Sequence, residues 1–379
     1  MAELKSPNIK RIVVRGTNWV GDAVMTVPAL RKLRALFPDA HITLATKSLT
    51  EGILCDADFI DELQLHVHSG ILSTIGQVRE WRRGRFDLAV LFPNSFESAL
   101  VAFLAGVRDR IGYATDGRRM LLTHPLAQPE WRSSRHEIYY YLEIVDQVGQ
   151  MIGISSESEA VPPDGSLNVS EVRRKAALDL LEVRTGSSYR NPRPRPLIAL
   201  CPGSINSRAK RWPTERFAAL GDRLINELGA EVLLIGSPDE LEVSREVARL
   251  MRGKATMLTG ETALAEAIAI LSLIDLLITN DTGPAHIASA LGRPTLVIFG
   301  PTNPLTTRPF SDVGQIVRHP PDCAPCMLRD CPIDHRCMTA ISPDEVFERA
   351  TAVFLERSVA PQTQLAEEND KLKFVGQAK

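Results

Sequence analysis

The sequence predicts an α/β protein built from two doubly wound, Rossmann-like domains that face each other across a cleft. Three observations predict it. Short aliphatic runs alternate with longer stretches of helical spacing in both halves of the chain, as expected for parallel sheets covered by helices. Two Ser-, Gly- and Pro-rich stretches, residues 153–165 (GISSESEAVPPDG) and 185–196 (TGSSYRNPRPRP), mark a seam between the halves. The length, 379 residues, suits two domains.

The elements follow in order. Ile12–Val14, Ile42–Ala45 and Leu88–Phe92 are brief, aliphatic and bounded by turn residues, which reads as buried strands. Between the first two, Ala23–Leu36 sets Val24, Val27, Leu30, Leu33 and Leu36 at helical spacing. Its Pro28 belongs in or near a first turn, or else kinks the helix. The pattern restarts with strands at Leu197–Leu200, Val232–Ile235, Leu276–Thr279 and Thr295–Phe299. Helical patterns at Glu215–Glu227, Pro238–Met251, Leu264–Leu273 and Pro284–Leu291 separate or follow them. Within the seam, Glu171–Val183 reads as a helix with Ser170 at its N-cap. The expected division is residues 1–165 for the first domain and 166–342 for the second. Residues 343–379 are expected to form a helix packing back toward the first domain, then a frayed tail.

Composition limits the function. Lys+Arg 44 against Asp+Glu 46 gives a net charge of −2, poor ground for a nucleic-acid coat or for anchoring by basic charge alone. Residues 1–10 carry charges without an apolar core, so no signal peptide is readable. The longest apolar stretches, such as Ala99–Val107, fall short of the roughly 20 residues a membrane helix needs. A cytoplasmic location is expected, in which six cysteines are an improbable disulfide framework. A substrate held in a membrane remains compatible with this.

Three segments at strand-to-helix turns carry the chemistry. Gly16-Thr17-Asn18-Trp19-Val20-Gly21-Asp22 has glycines spaced as in a P-loop, but Asp22 and Ala23 stand where Lys and Ser or Thr would grip phosphate and magnesium. No G-x-G-x-x-G follows a predicted strand, which disfavours a dehydrogenase. What remains is a carboxylate, Asp22, either aimed at the cleft or capping the helix beside it. The second segment is Asn280-Asp281-Thr282-Gly283-Pro284-Ala285-His286. Its Gly and Pro build a helix N-terminus able to hold an anion, with Thr282 and His286 as added hydrogen-bonding groups. An ordinary capped helix is the alternative. The third, Cys201-Pro202-Gly203-Ser204 followed by Lys210-Arg211-Trp212-Pro213, sets a lysine at a strand's mouth, where it suits a diphosphate or simply a solvated loop.

In order along the chain, these segments and two others resemble the ADP-heptose:lipopolysaccharide heptosyltransferases, the heptosyltransferase II pattern most of all. The likeness runs from about Ile12 to Phe347. It comprises T-N-W-V-G-D-A-V-M-T-V-P-A-L-R-K-L-R, L-F-P-N-S-F-E-S-A-L, R-I-G-Y-A-T-D-G-R-R, P-G-S with A-K-R-W-P, and N-D-T-G-P-A-H. The resemblance implies the glycosyltransferase-B fold, with acceptor on the first domain and nucleotide-sugar on the second, and inverting transfer without a metal on the diphosphate. It implies that Asp22 is the general base and that Lys210 contacts the diphosphate. Asp281, Thr282, Gly283 and His286 fall in the phosphate-binding turn, and Glu240 stands where related enzymes hold the ribose. Ser204 departs from the family's usual alanine. The implied partners are an ADP-heptose donor and a lipid-linked inner-core acceptor, reached by transient contact with the inner-membrane surface. A different acceptor (Kdo or a protein), or a nucleotide-sugar epimerase of the same architecture, is the alternative.

Two further features stand out. Between Arg79 and Arg135 lie ten arginines and no lysine against six acids, a local +4. Arg118 and Arg119 are the expected contacts to an anionic acceptor, whereas Arg79, Arg82, Arg83 and Arg85 read as a solvated helical face. Cys323, Cys326, Cys331 and Cys337, with His335 among them, form a candidate structural zinc loop, weighed against four reduced thiols.

Overall fold

The computed structural model describes residues 4, 8–66, 70–154, 162–189 and 193–355. Its first half contains β1 (Arg11–Arg15), β2 (His41–Lys47), β3 (Glu62–His66), β4 (Leu88–Leu91), β5 (Asp109–Tyr113) and β6 (His124–Leu126). Around them lie α1 (Val20–Met25), α2 (Val27–Leu36), α3 (Glu51–Leu54), α4 (Ile71–Gly84), α5 (Phe96–Ala105) and α6 (Glu137–Met151), and α7 (Glu171–Thr185) follows in the seam. The second half contains β7 (Leu197–Cys201), β8 (Glu231–Leu234), β9 (Thr256–Met257), β10 (Leu276–Asn280), β11 (Thr295–Ile298) and β12 (Gly314–Val317). Its helices include α8 (Thr214–Leu228), α9 (Leu241–Leu250), α10 (Leu264–Leu271), α11 (Gly283–Ala290), α12 (Pro304–Thr307) and α13 (Arg336–Thr339).

Both sheets are parallel and carry one topology. The strand orders are β3-β2-β1-β4-β5-β6 and β12-β11-β10-β7-β8-β9. In each, the direction of winding reverses between two central strands, β1/β4 and β7/β10. Loops at the C-terminal ends of such strands diverge and leave a crevice. Central strands are buried on both faces, as the fully covered Ile12–Val14 and Leu197–Cys201 show, which is why they are written in continuous aliphatics.

The expected Ala23–Leu36 helix is two helices broken at Thr26. Pro28 has no N–H to return to the carbonyl of residue 24, so it starts a new helix in its first turn. Ser170 does precede α7, but its hydroxyl makes no cap; its backbone N–H instead donates to Asp56. One core cluster runs across the seam, joining Val24, Leu30 and Val145 of the first domain with Ile268, Ile287 and Ala288 of the second. Residues 343–355 are helical, and Val346, Phe347, Ala350 and Val353 pack with Trp212 and Phe217. This corrects the expectation that the helix reaches back to the first domain: its apolar stripe is matched by the second core. Residues 356–379, with the expected frayed tail, lie outside the described residues. Among the described residues no helix is long and apolar enough to cross a membrane.

Candidate active site

The two reversal points meet. Helix α1 follows β1, helix α11 follows β10, and their N-terminal turns pack together. A Cβ on Gly21 would lie 3.1 Å from His286 Cδ2, and one on Gly283 would lie 2.6 Å from Val20 Cγ1. Glycine at both positions lets the two backbones approach this closely.

Asp22 stands in the first turn of α1, half-buried at this contact. Trp19, not Asp22, occupies the helix cap position, so capping does not explain the carboxylate. Burial pushes the Asp22 carboxyl up to about 6; the negative Glu137 adds to the rise, while Lys210 and Arg132 oppose it. The result is a carboxylate more basic than a solvated one and still ionised at neutral pH.

Opposite it, the second domain presents paired charge. Lys210 Nζ donates to Asp281 Oδ2 at 2.8 Å and to the Asp281 carbonyl at 3.2 Å. The buried Asp281 Oδ2 also accepts from Thr302 Oγ1 at 2.6 Å. Thr282 occupies the cap position of α11 and Pro284 its first turn. The buried His286 is pushed down to about 4, chiefly by desolvation and further by His136 and Lys210, against the pull of Asp281. It is therefore a neutral hydrogen-bonding group at physiological pH.

Asn280 holds the two loops of this reversal point together. Its Nδ2 donates to the carbonyls of Pro202 (2.8 Å) and Gly203 (3.2 Å), and its Oδ1 accepts from Trp212 N (3.0 Å). Ser204 is buried, and its carbonyl accepts two bonds from the Arg211 guanidinium. Glu240 lies over the same turn: a Cβ on Gly203 would fall 2.2 Å from Glu240 Oε1. The other oxygen, Oε2, accepts from Ser237 N and Oγ in a capping box. The structure thus gathers Asp22, Ser204, Lys210, Asp281, Thr282, Gly283 and His286 at the crossing of the two reversal points, with Glu240 against the Ser204 turn.

Arg118 is a correction. It is fully buried, and its guanidinium donates to the carbonyls of Tyr113, Pro93 and Ser95, to Ser98 Oγ and to Asn94 Oδ1. With its donors so engaged, it holds the Pro93–Ser95 loop in shape and does not meet an acceptor. Arg119 is exposed on the same turn. The network continues to the cleft. Asn94 Nδ2 donates to Tyr140 OH (2.8 Å), as does Arg132 Nη1 (3.1 Å), and Arg132 Nη2 donates to Glu137 Oε1 (3.3 Å).

The cysteines lie elsewhere on the second domain. Cys323 and Cys326 are exposed, Cys331 half-buried and Cys337 buried. Burial pushes the Cys337 thiol up to about 11, and the other three thiols add to this. Among the described residues no group of three or more His, Cys, Asp or Glu side chains that could hold a metal ion is found.

The comparisons with known proteins fit this geometry. The model of glycosyltransferase family 9 (heptosyltransferase) matches residues 77–336. The chain belongs to that family. Lipopolysaccharide heptosyltransferase 2 of Escherichia coli K12 is 29% identical over 361 residues, covering 91% of this chain and 99% of the relative. The protein of the same name from Salmonella typhimurium is 30% identical, covering 81% and 88%. Among solved structures, E. coli ADP-heptose lps heptosyltransferase II superposes with a TM-score of 0.76 at 27% identity, covering 92% and 99%. A family 9 glycosyl transferase from Veillonella parvula gives 0.77 at 25%, covering 92% and 97%. The expected fold class holds: two Rossmann-like domains in the glycosyltransferase-B arrangement, in a family of glycosyltransferases.

Sequence reasoning missed Asn280 as a loop tie, and Glu137 and Arg132 beside Asp22. Asn280 sits within the N-D-T-G segment, so its place at the end of a buried strand was the available signal. Glu137 and Arg132 had none, because only the fold brings α6 and the turn before it against α1.

Proposed function

We propose that this family 9 glycosyltransferase moves L-glycero-D-manno-heptose from ADP-heptose to heptose I of the lipopolysaccharide inner core. One observation carries the reading. A carboxylate of raised basicity on the first domain faces, across the meeting of two reversal points, a lysine and a helix N-terminus on the second. The names of the relatives supply the sugar and the acceptor class.

In this mechanism Asp22 removes a proton from an acceptor hydroxyl. That oxygen attacks the anomeric carbon from the face opposite the nucleotide, and the bond to the ADP oxygen breaks with inversion. Lys210 turns from Asp281 toward the leaving diphosphate, and the N-terminus of α11 adds its dipole and N–H groups. Neutral His286 and Thr282 donate hydrogen bonds, and Glu240 takes the ribose hydroxyls through Oε1. The negative charge on the leaving group is met by these groups, so the chemistry requires no metal.

The acceptor is lipid-linked in this reading, and the enzyme works in the cytoplasm in transient contact with the inner membrane. Supporting this, Trp19, Ile71, Leu72, Phe96 and Met120 are exposed on segments that follow β1, β3, β4 and β5. They share the sheet edge that carries Asp22, and the exposed Arg119 lies among them. The deciding experiment incubates the protein with ADP-heptose and heptose-I-bearing acceptor, following ADP release and product mass. A gain of one heptose with equimolar ADP supports the proposal. ADP release without added mass, or neither signal, overturns it.

A further inference from the structure

The cysteine-rich loop is joined to the segment that carries Lys210. Ala209, immediately before the lysine, is buried, and both its backbone polar groups are taken by this loop. Ala209 N donates to the Arg329 carbonyl at 2.9 Å, and the Ala209 carbonyl faces His335 Nε2 at 2.6 Å. Two residues earlier, the buried Ser207 donates through Oγ to the carbonyls of Leu328 and Arg329 (3.3 and 3.2 Å). Arg208 pairs with Asp330 at 2.6 Å. On the far side of Lys210, Trp212 N is tied to Asn280 at 3.0 Å.

Residues 320–335 contain no helix or strand and expose Met327, Leu328 and Ile333. Such a stretch has little core of its own, and its order depends on specific polar ties. His335 provides one of them from a left-handed backbone (φ 57°). A carbonyl can only accept, so the bond to Ala209 fixes the tautomer: Nε2 carries the proton.

We infer that His335 is a positioning residue for donor binding: its Nε2–H grips the Ala209 carbonyl and sets where the Lys210 ammonium meets a nucleotide diphosphate. This rests on the proposed role of Lys210. A lysine ammonium sits on a flexible stem, so its reach is decided by the backbone that bears it. Lys210 Nζ is held by Asp281, and a backbone shift at residue 209 changes both this contact and the diphosphate contact.

The test measures ADP binding by calorimetry, with KM for the ADP-sugar and kcat. His335→Ala is expected to weaken ADP binding about fivefold, the worth of one net hydrogen bond, to raise KM in step and to lower kcat less than Lys210→Ala does. His335→Gln places an amide N–H where Nε2 stood and is expected to restore most of the affinity; His335→Asn, too short, is not. In a Lys210→Ala background, His335→Ala should cost nothing further. Unchanged ADP binding in His335→Ala overturns the inference. So does equal weakening by the Ala and Gln variants, or a loss that persists without Lys210, since either outcome means general damage to the loop. If Lys210→Ala itself leaves ADP binding unchanged, the role of Lys210 fails instead, and the inference with it.

Discussion

The two reversal points share one strand topology and are furnished in opposite ways. At β7/β10 the polar groups are matched: Lys210 with Asp281, Asp281 with Thr302, Asn280 with both neighbouring loops. At β1/β4 the Asp22 carboxylate stands half-buried with its basicity raised, while the arginine network ends short of it at Glu137. The difference teaches what each side prepares for. An anionic diphosphate is met by cations and N–H groups set in advance, whereas a neutral hydroxyl needs a carboxylate whose negative charge is poorly compensated. Topology fixes the place, and charge pairing fixes the task.

The most severe break of this contrast is Asp22→Asn. Without the base, turnover should fall ~10²–10⁴-fold while ADP binding persists; steady-state kinetics beside calorimetry reads both. In the wild type, kcat/KM should fall as pH drops through about 6, where Asp22 gains a proton. Next comes the pair of adjacent arginines. Arg118→Ala strands buried carbonyls and should destabilise the first domain by about 3 kcal/mol or more, whereas exposed Arg119→Ala should leave denaturant stability within about 0.5 kcal/mol.

On the matched side, Lys210→Ala should weaken ADP binding by about 10–100-fold and lower turnover as well, because the diphosphate is already charged in the ground state. Gly283→Ala pushes a methyl into Val20 at the meeting of the helices. It should cost about 1–3 kcal/mol and raise KM for both substrates.

The smallest effect sharpens the comparison from the stability side. A carboxyl whose folded pKa is about 6, raised above its unfolded value, favours the folded state most below about pH 4. That contribution is lost as pH rises through 6. Asp22→Asn escapes the loss, so it should be more stable than wild type by roughly 1–2 kcal/mol above pH 6 and not below pH 4, read from unfolding at several pH values.

The parts legible in advance were those where burial or turn chemistry leaves a local trace. Central strands such as Leu197–Cys201 are buried on both faces and read as unbroken aliphatics. Glu62–His66 and His124–Leu126 lie at sheet edges and carry charged, polar or proline residues, so no apolar run announces them. Asp22 and the N-D-T-G-P-A-H turn were visible because both follow legible strands. Arg118 was misread because a buried guanidinium surrounded by carbonyls looks, in one dimension, like any surface arginine. The Arg132–Glu137 pair had to await the packing of α6 on α1.

The glycine contact between α1 and α11 also sets a tolerance. With no side chain at Gly21 or Gly283, the two turns meet backbone against Val20 and His286. A bulky side chain in a contact can yield by changing rotamer, whereas main chain cannot. The spacing between Asp22 and the α11 turn is therefore written into the backbone of the two strand-to-helix turns.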